Sequence, residues 1–175
     1  DVSEDFESMP AWTSSFDAGW GGQATWSILS GGQAGNCLEV WRNNGGSSVK
    51  AKVHSISAST DYTVSVYIRC PSSAGPYWAE CAFKLGSNTA QDFDSNGATW
   101  TMIQKFTETG PNGNGDTWTQ YSANVNSGAN TQITVAFKRG SSAGTAPAVK
   151  WDTLRITASG GGVNLVSNPS FEGGF

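Results

Sequence analysis

The chain has 175 residues, of which 22 are glycine, 37% are hydrophobic and only 14% are charged. That length suits one domain with a short attachment, and the low charge amid Gly, Ser, Thr and Asn excludes a coiled coil or helical bundle in favour of an all-β fold. Ten basic against 14 acidic side chains give a formal charge of −4, so there is no electrostatic footprint for nucleic acid or an anionic membrane, and neither partner is expected. No window approaches about 18 consecutive apolar residues. Asp1 to Asp5 carry neither a basic stretch nor an apolar run, so neither a membrane-spanning helix nor a retained signal peptide is expected. One histidine (His54) and three cysteines leave too little for a zinc site or a nucleophile beside a base. The positive signal is aromatic: eight Trp, eight Phe and four Tyr.

In chain order, Trp20 and Gln23 fall in a glycine-rich segment where no core periodicity calls for an indole, so both are candidate ligand contacts. Short alternating runs follow at Leu38/Val40 and Val49/Ala51/Val53. The clearest strand is 62–70, apolar at 62, 64, 66, 68 and 70, with Thr63, Ser65, Tyr67 and Arg69 on its wet face. A turn rich in Pro, Ser and Gly separates it from 77–85, which puts Tyr77, Ala79, Cys81, Phe83 and Leu85 on one side and Trp78, Glu80 and Lys84 on the other. The two runs are read as a hairpin, and Tyr67 and Trp78 on its polar face mark that face for binding. Cys70 and Cys81 would then face one another, either as a disulfide or as two buried thiols, with Cys37 a small core residue.

Trp100 shares its phase with Met102 and Phe106 and is expected inside, as are Trp26, Trp41 and Trp151; Trp12 has no clear place. In 117–125, core positions at Tyr121, Ala123 and Val125 turn Trp118 and Gln120 outward, unless a bulge rotates Trp118 into the core. With Ile133/Val135/Phe137, the count reaches roughly nine or ten strands separated by sandwich-type loops, and no segment shows a convincing amphipathic helix. After Gly160-Gly161-Gly162 the pair Phe171-Glu172 echoes Phe6-Glu7. The chain is therefore divided into a module at 1–158 and, at 159–175, a linker with the first strand of a second tandem copy.

Several motifs occur in order. Phe6-Glu7 opens the chain, Ser30 to Val40 joins small residues to an alternating strand, and Asp61 to Tyr67 contains Tyr-Thr-apolar-Ser; Trp118 with Tyr121 and Trp151-Asp152-Thr153-Leu154-Arg155-Ile156 follow. Together with Asn164 to Gly173 they resemble the β-sandwich carbohydrate-binding modules that include families 4, 9, 16 and 22. The resemblance implies a jelly roll of two antiparallel sheets, one with a concave face that forms a sugar cleft. It also implies a structural calcium, with Glu7 and Asp152 matching the acidic ligands and the Gly31–Asn36 loop supplying carbonyls. Where that group usually has a second acid, this chain has Thr153.

A neutral sugar needs flat aromatic faces flanked by amides and charges, so the expected ligand contacts are Trp20, Gln23, Tyr67, Arg69, Trp78, Glu80, Lys84, Trp118 and Gln120. The expected role is that of a secreted, noncatalytic module that binds β-linked polysaccharide of the cellulose, glucomannan or xylan type and targets an attached glycoside hydrolase. A cell-surface adhesion or spacer module is the main alternative. A hydrolase lacks a pair of carboxylates on one cleft strand, and a lyase would rely on Tyr67, Arg69 and Lys84 around a uronate.

Overall fold

The computed structural model describes residues 13–16, 24–42, 46–72, 77–107, 112–141, 146–159 and 165. Among the described residues ten strands follow in order: β1 Thr13–Phe16, β2 Ala24–Ser30, β3 Asn36–Arg42, β4 Gly46–Ser55, β5 Asp61–Arg69, β6 Tyr77–Leu85, β7 Thr101–Thr107, β8 Thr119–Asn126, β9 Gln132–Ser141 and β10 Ala146–Ala158. They form two five-stranded antiparallel sheets in the orders β1-β4-β9-β6-β7 and β2-β3-β10-β5-β8. Most connections cross from one sheet to the other, which is the jelly-roll arrangement of an all-β sandwich.

The core lies between the sheets. β5 contributes Tyr62, Val64, Val66 and Ile68, β6 contributes Tyr77, Ala79, Cys81 and Phe83, and Phe137 and Trp26 both pack on the fully buried Trp151. Alternation along β5 and β6 therefore named the inward residues correctly. It did not name the sheet: β5 and β6 lie in opposite sheets, so the expected hairpin is absent. The reason is that a strand of either sheet shows the same core-facing period, and the segment after Cys70 crosses the sandwich instead of reversing at its edge. Cys37, Cys70 and Cys81 are all free and buried.

Between β6 and β7 the chain forms one short helix, α1 (Ala90–Asn96), and a 3-10 turn at Gly97–Thr99. Thr89 caps α1, its hydroxyl oxygen accepting the Asp92 N–H at 3.2 Å. Ala90 and Phe93, three apart, face one side and pack with Trp100 on Val49, Ala51, Ala82 and Ala136. These four lie on the outer face of the first sheet, so the apolar run of β4 looks away from the main core and into a second, smaller one. Two helical turns are too short to carry a periodic signal, which is why the sequence showed no helix here.

Candidate functional site

The outer face of the first sheet is ordered in rows that run across its strands. One row reads Thr107, Trp78, Gly140, Ser47; the next reads Lys105, Glu80, Lys138, Val49; the third reads Met102, Ala82, Ala136, Ala51. Neighbours within a row are about 4.8 Å apart and successive rows about 7 Å. α1 covers the third row and the β4 end of the other two, with Phe93 against Val49 and Asp94 reaching Ser47 and Lys138; the β6–β7 end of the first two rows, with Trp78, Glu80 and Lys105, is the trough.

The floor of the trough is an indole. A Cβ built on Gly140 would fall among Cε2, Cζ2 and Nε1 of Trp78, so the ring lies directly on the glycine backbone of β9. Only a residue without a side chain allows this seat. From inside the sandwich the buried Arg139 secures the same spot: Nη1 donates to the carbonyls of Trp78 (2.9 Å) and Gly140 (3.2 Å), and Nη2 donates to that of Pro147 (2.7 Å). Its guanidinium lies 4.4 Å from the Tyr77 ring centroid. These carbonyls and the ring face help hold a cation buried this deeply.

The charged row supplies hydrogen-bonding groups beside the ring. Lys105 Nζ lies 2.7 Å from the Glu80 carboxylate, the lysine 49% exposed and the glutamate 8%. Lys138 Nζ is 2.9 Å from Asp94 on α1, and Ser47 Oγ donates to the same carboxylate at 2.6 Å. Asp94 thus ties the helix to the trough wall.

Further along β6, Lys84 does not reach the trough. Its ammonium donates to Asp92 (2.9 Å) and Thr99 (3.2 Å) and lies 6.0 Å from the Trp100 ring centroid, while the indole N–H of Trp100 donates to Asp92 at 2.9 Å. These bonds hold the Asp92 carboxyl below its ordinary value, the Lys84 bond most of all. Lys84 fastens the helix to the sheet.

The remaining described candidates lie on the other side of the molecule. Tyr67 and Gln120 are direct cross-strand partners on the outer face of the second sheet, and Trp118 precedes β8 in the phase of Gln120. Arg69 forks onto Asp116, with Nε and Nη2 donating at 2.9 and 2.8 Å. The single cleft expected from a β5–β6 hairpin is therefore two separate surfaces, Trp78 and Glu80 on one and Tyr67, Arg69, Trp118 and Gln120 on the other. Trp118 is half-buried and outside the main core cluster. Trp20, Gln23 and Glu7 lie outside the described residues. The sequence reading missed Gly140, Lys105, Lys138 and Arg139; the one available signal was Arg139 standing in the apolar phase of Ile133, Val135 and Phe137.

Of the two expected calcium ligands, Asp152 lies among the described residues and Glu7 does not. Asp152 is buried and accepts N–H donors: Ala34 N–H at 3.0 Å on Oδ2 and Thr153 N–H at 2.6 Å on Oδ1. The Gly35 carbonyl likewise accepts from Gly31 and Gly32 within the loop. Beside these amides the Asn36 carbonyl oxygen also approaches the Asp152 carboxylate, both lying against the Cα of Gly32. No group of three or more His, Cys, Asp or Glu converges among the described residues. Burial raises the Asp152 pKa, opposed by the Ala34, Thr153 and Gln33 backbone N–H groups. Burial likewise pushes the Cys37 and Cys70 thiols up to about 11, and Cys81 higher still, so these thiols remain protonated at neutral pH and none is a ready nucleophile.

No protein-family model matches the chain, and no curated protein matches it either. Solved structures do. One described as "CBM4 structure and function" aligns at TM-score 0.54 with 13% identity, covering 90% of this chain and 93% of that one. The CBM22-1–GH10 modules of Clostridium thermocellum xylanase 10B, complexed with xylohexaose, align at 0.52 with 16% identity over 93% of this chain, which spans 29% of that larger one. The cleaved adhesin domain of Lys-gingipain from Porphyromonas gingivalis aligns at 0.58 with 15% identity, covering 91% and 98%. The chain therefore has the β-sandwich jelly-roll fold found in carbohydrate-binding modules, as its sequence motifs imply.

Proposed function

We propose that this is a noncatalytic carbohydrate-binding module whose ligand lies in the trough on the outer face of the first sheet, stacked on Trp78. The observation that carries this reading is the seating of Trp78 on Gly140, which sets an indole along the sheet surface beside a row of charged groups. A pyranose presents C–H groups on its faces and hydroxyls round its rim. The ring meets the first need, and the half-exposed Lys105, with the Glu80 carboxylate it pairs with, is placed to meet the second.

The ligand class proposed is a β-linked polysaccharide of the cellulose, glucomannan or xylan type. Complexes of fold neighbours with xylohexaose and β-1,4-galactotriose support this class. The echo of Phe6-Glu7 in Phe171-Glu172 supports a second tandem copy. Two weak open sites on one secreted chain would gain avidity through effective concentration and hold an attached hydrolase near its substrate.

Affinity gels and calorimetry with cellulose, glucomannan, xylan and galactan test the proposal. Binding to at least one of them, weakened in Trp78→Ala with the fold intact, is the expected result. Binding to none would move the reading to adhesion or a spacer role, and release of new sugar ends would move it to a hydrolase or lyase.

A further inference from the structure

The outer face of the second sheet carries a cluster that the trough does not use. Tyr67 on β5 faces Gln120 on β8 directly, and Ser65, two residues along, faces Ser122 on β8 and Arg155 on β10. Gln120 Nε2 reaches 3.5 Å from Ser65 Oγ, so its amide leans along β5 toward the Arg155 row. The diagonal between Tyr67 and Arg155 is about 7–8 Å at the backbone, within reach of both long side chains. Trp118 continues the line beyond Gln120.

Charge distinguishes this face from an ordinary solvated one. Arg69 is neutralised by Asp116, and Lys150 by Glu39 at 3.4 Å. The Asp152 carboxylate on the same face is buried and engaged by amides. Arg155 is exposed, and its guanidinium has no partner among the described residues. One uncommitted positive charge therefore sits beside a half-buried tyrosine whose hydroxyl is also without a partner there.

We propose that this face is a second binding site, separate from the trough, for an acidic sugar: a uronate residue of a glycan, its carboxylate on Arg155 and its ring against Tyr67, with Gln120 hydrogen-bonding its hydroxyls. A guanidinium presents a planar fork that matches a carboxylate. The formal charge of −4 gives no long-range attraction for such a ligand, so recognition rests on the local contact. The site does not depend on the Trp78 reading. Two sites on opposite faces would let one module bridge two glycan chains.

The test is calorimetric titration with trigalacturonate and with a glucuronic-acid-substituted xylooligosaccharide, against unsubstituted xylohexaose, in wild type, Arg155→Gln, Tyr67→Ala and Trp78→Ala. Trigalacturonate should bind, lose about tenfold to a hundredfold in Arg155→Gln, lose affinity in Tyr67→Ala, weaken with added salt and be unchanged in Trp78→Ala. Absence of uronate binding, equal affinity in Arg155→Gln, or loss in Trp78→Ala alone would overturn the proposal. Unchanged unfolding transitions in the surface variants separate a lost contact from a lost fold. Failure of xylohexaose to bind wild type would count against the trough and leave this site standing.

Discussion

Gly140→Ala tests the seat of Trp78 without touching the ring itself. β9 is hydrogen-bonded on both sides, to β4 and to β6, so the backbone at 140 has little room to retreat. The new methyl would occupy the place of the indole's ring junction, and the side chain must swing to another rotamer or lift off the sheet. Forcing an off-rotamer angle costs about 0.5–1.5 kcal/mol, while alanine in a strand regains about 0.5–1 kcal/mol over glycine, so stability should change by no more than about 1 kcal/mol. The ligand loses its platform. An enclosed indole buries about 150–250 Å²; one face against a pyranose covers about a third, about 70 Å², worth about 2 kcal/mol at 25–30 cal/mol per Å². Affinity should fall about 30-fold. Calorimetry against the best-bound polysaccharide, with circular dichroism and thermal unfolding as controls, gives the answer. The double variant with Trp78→Ala should bind no worse than either single one, since both remove the same contact. Unchanged affinity in Gly140→Ala would refute the reasoning.

Arg139→Met should destabilise by about 2–4 kcal/mol in urea unfolding, because it strands three buried carbonyl contacts; a neutral substitution would contradict the role of Arg139 as the clamp beneath Trp78. Asp92→Asn should loosen α1, seen as a change in tryptophan fluorescence and a lower melting temperature. Its pH dependence has a fixed sign: the folded carboxyl titrates below the ordinary 3.8, so the wild-type advantage is full at neutral pH and shrinks as pH falls through the lower folded value. An advantage that grew on acidification would be the wrong result. Gly32→Ala should be destabilising, since its Cβ would meet the Asn36 carbonyl and the Asp152 carboxylate; a melting temperature equal to wild type would argue against the amide cradle. A melting temperature raised by calcium and lowered by chelator would support an ion held by Asp152, and no change with either would count against it.

Much of the fold was legible because burial is written with a period of two. The wet positions 63, 65, 67 and 69 of β5 and 78, 80 and 84 of β6 all came out on outer faces. What alternation cannot say is to which sheet a strand belongs, and that one ambiguity turned two faces into a single supposed cleft. The tie of Lys84 to Asp92 was not legible because α1 has only two helical turns and leaves no periodic signal. Gly140 was invisible for a different reason: a glycine among sandwich loops and strands has many uses, and only the position of Trp78 across the ladder shows its purpose.

The central claim is that an indole lying on the first sheet receives a sugar. Amide and indole N–H chemical shifts, followed in a ¹⁵N-labelled sample titrated with a neutral β-1,4-linked oligosaccharide, test it most directly. The account predicts saturable changes centred on Trp78 Nε1–H and the backbone amides of Glu80, Lys105 and Gly140. A spectrum unmoved by every such oligosaccharide, or changes confined to residues distant from Trp78, would contradict it.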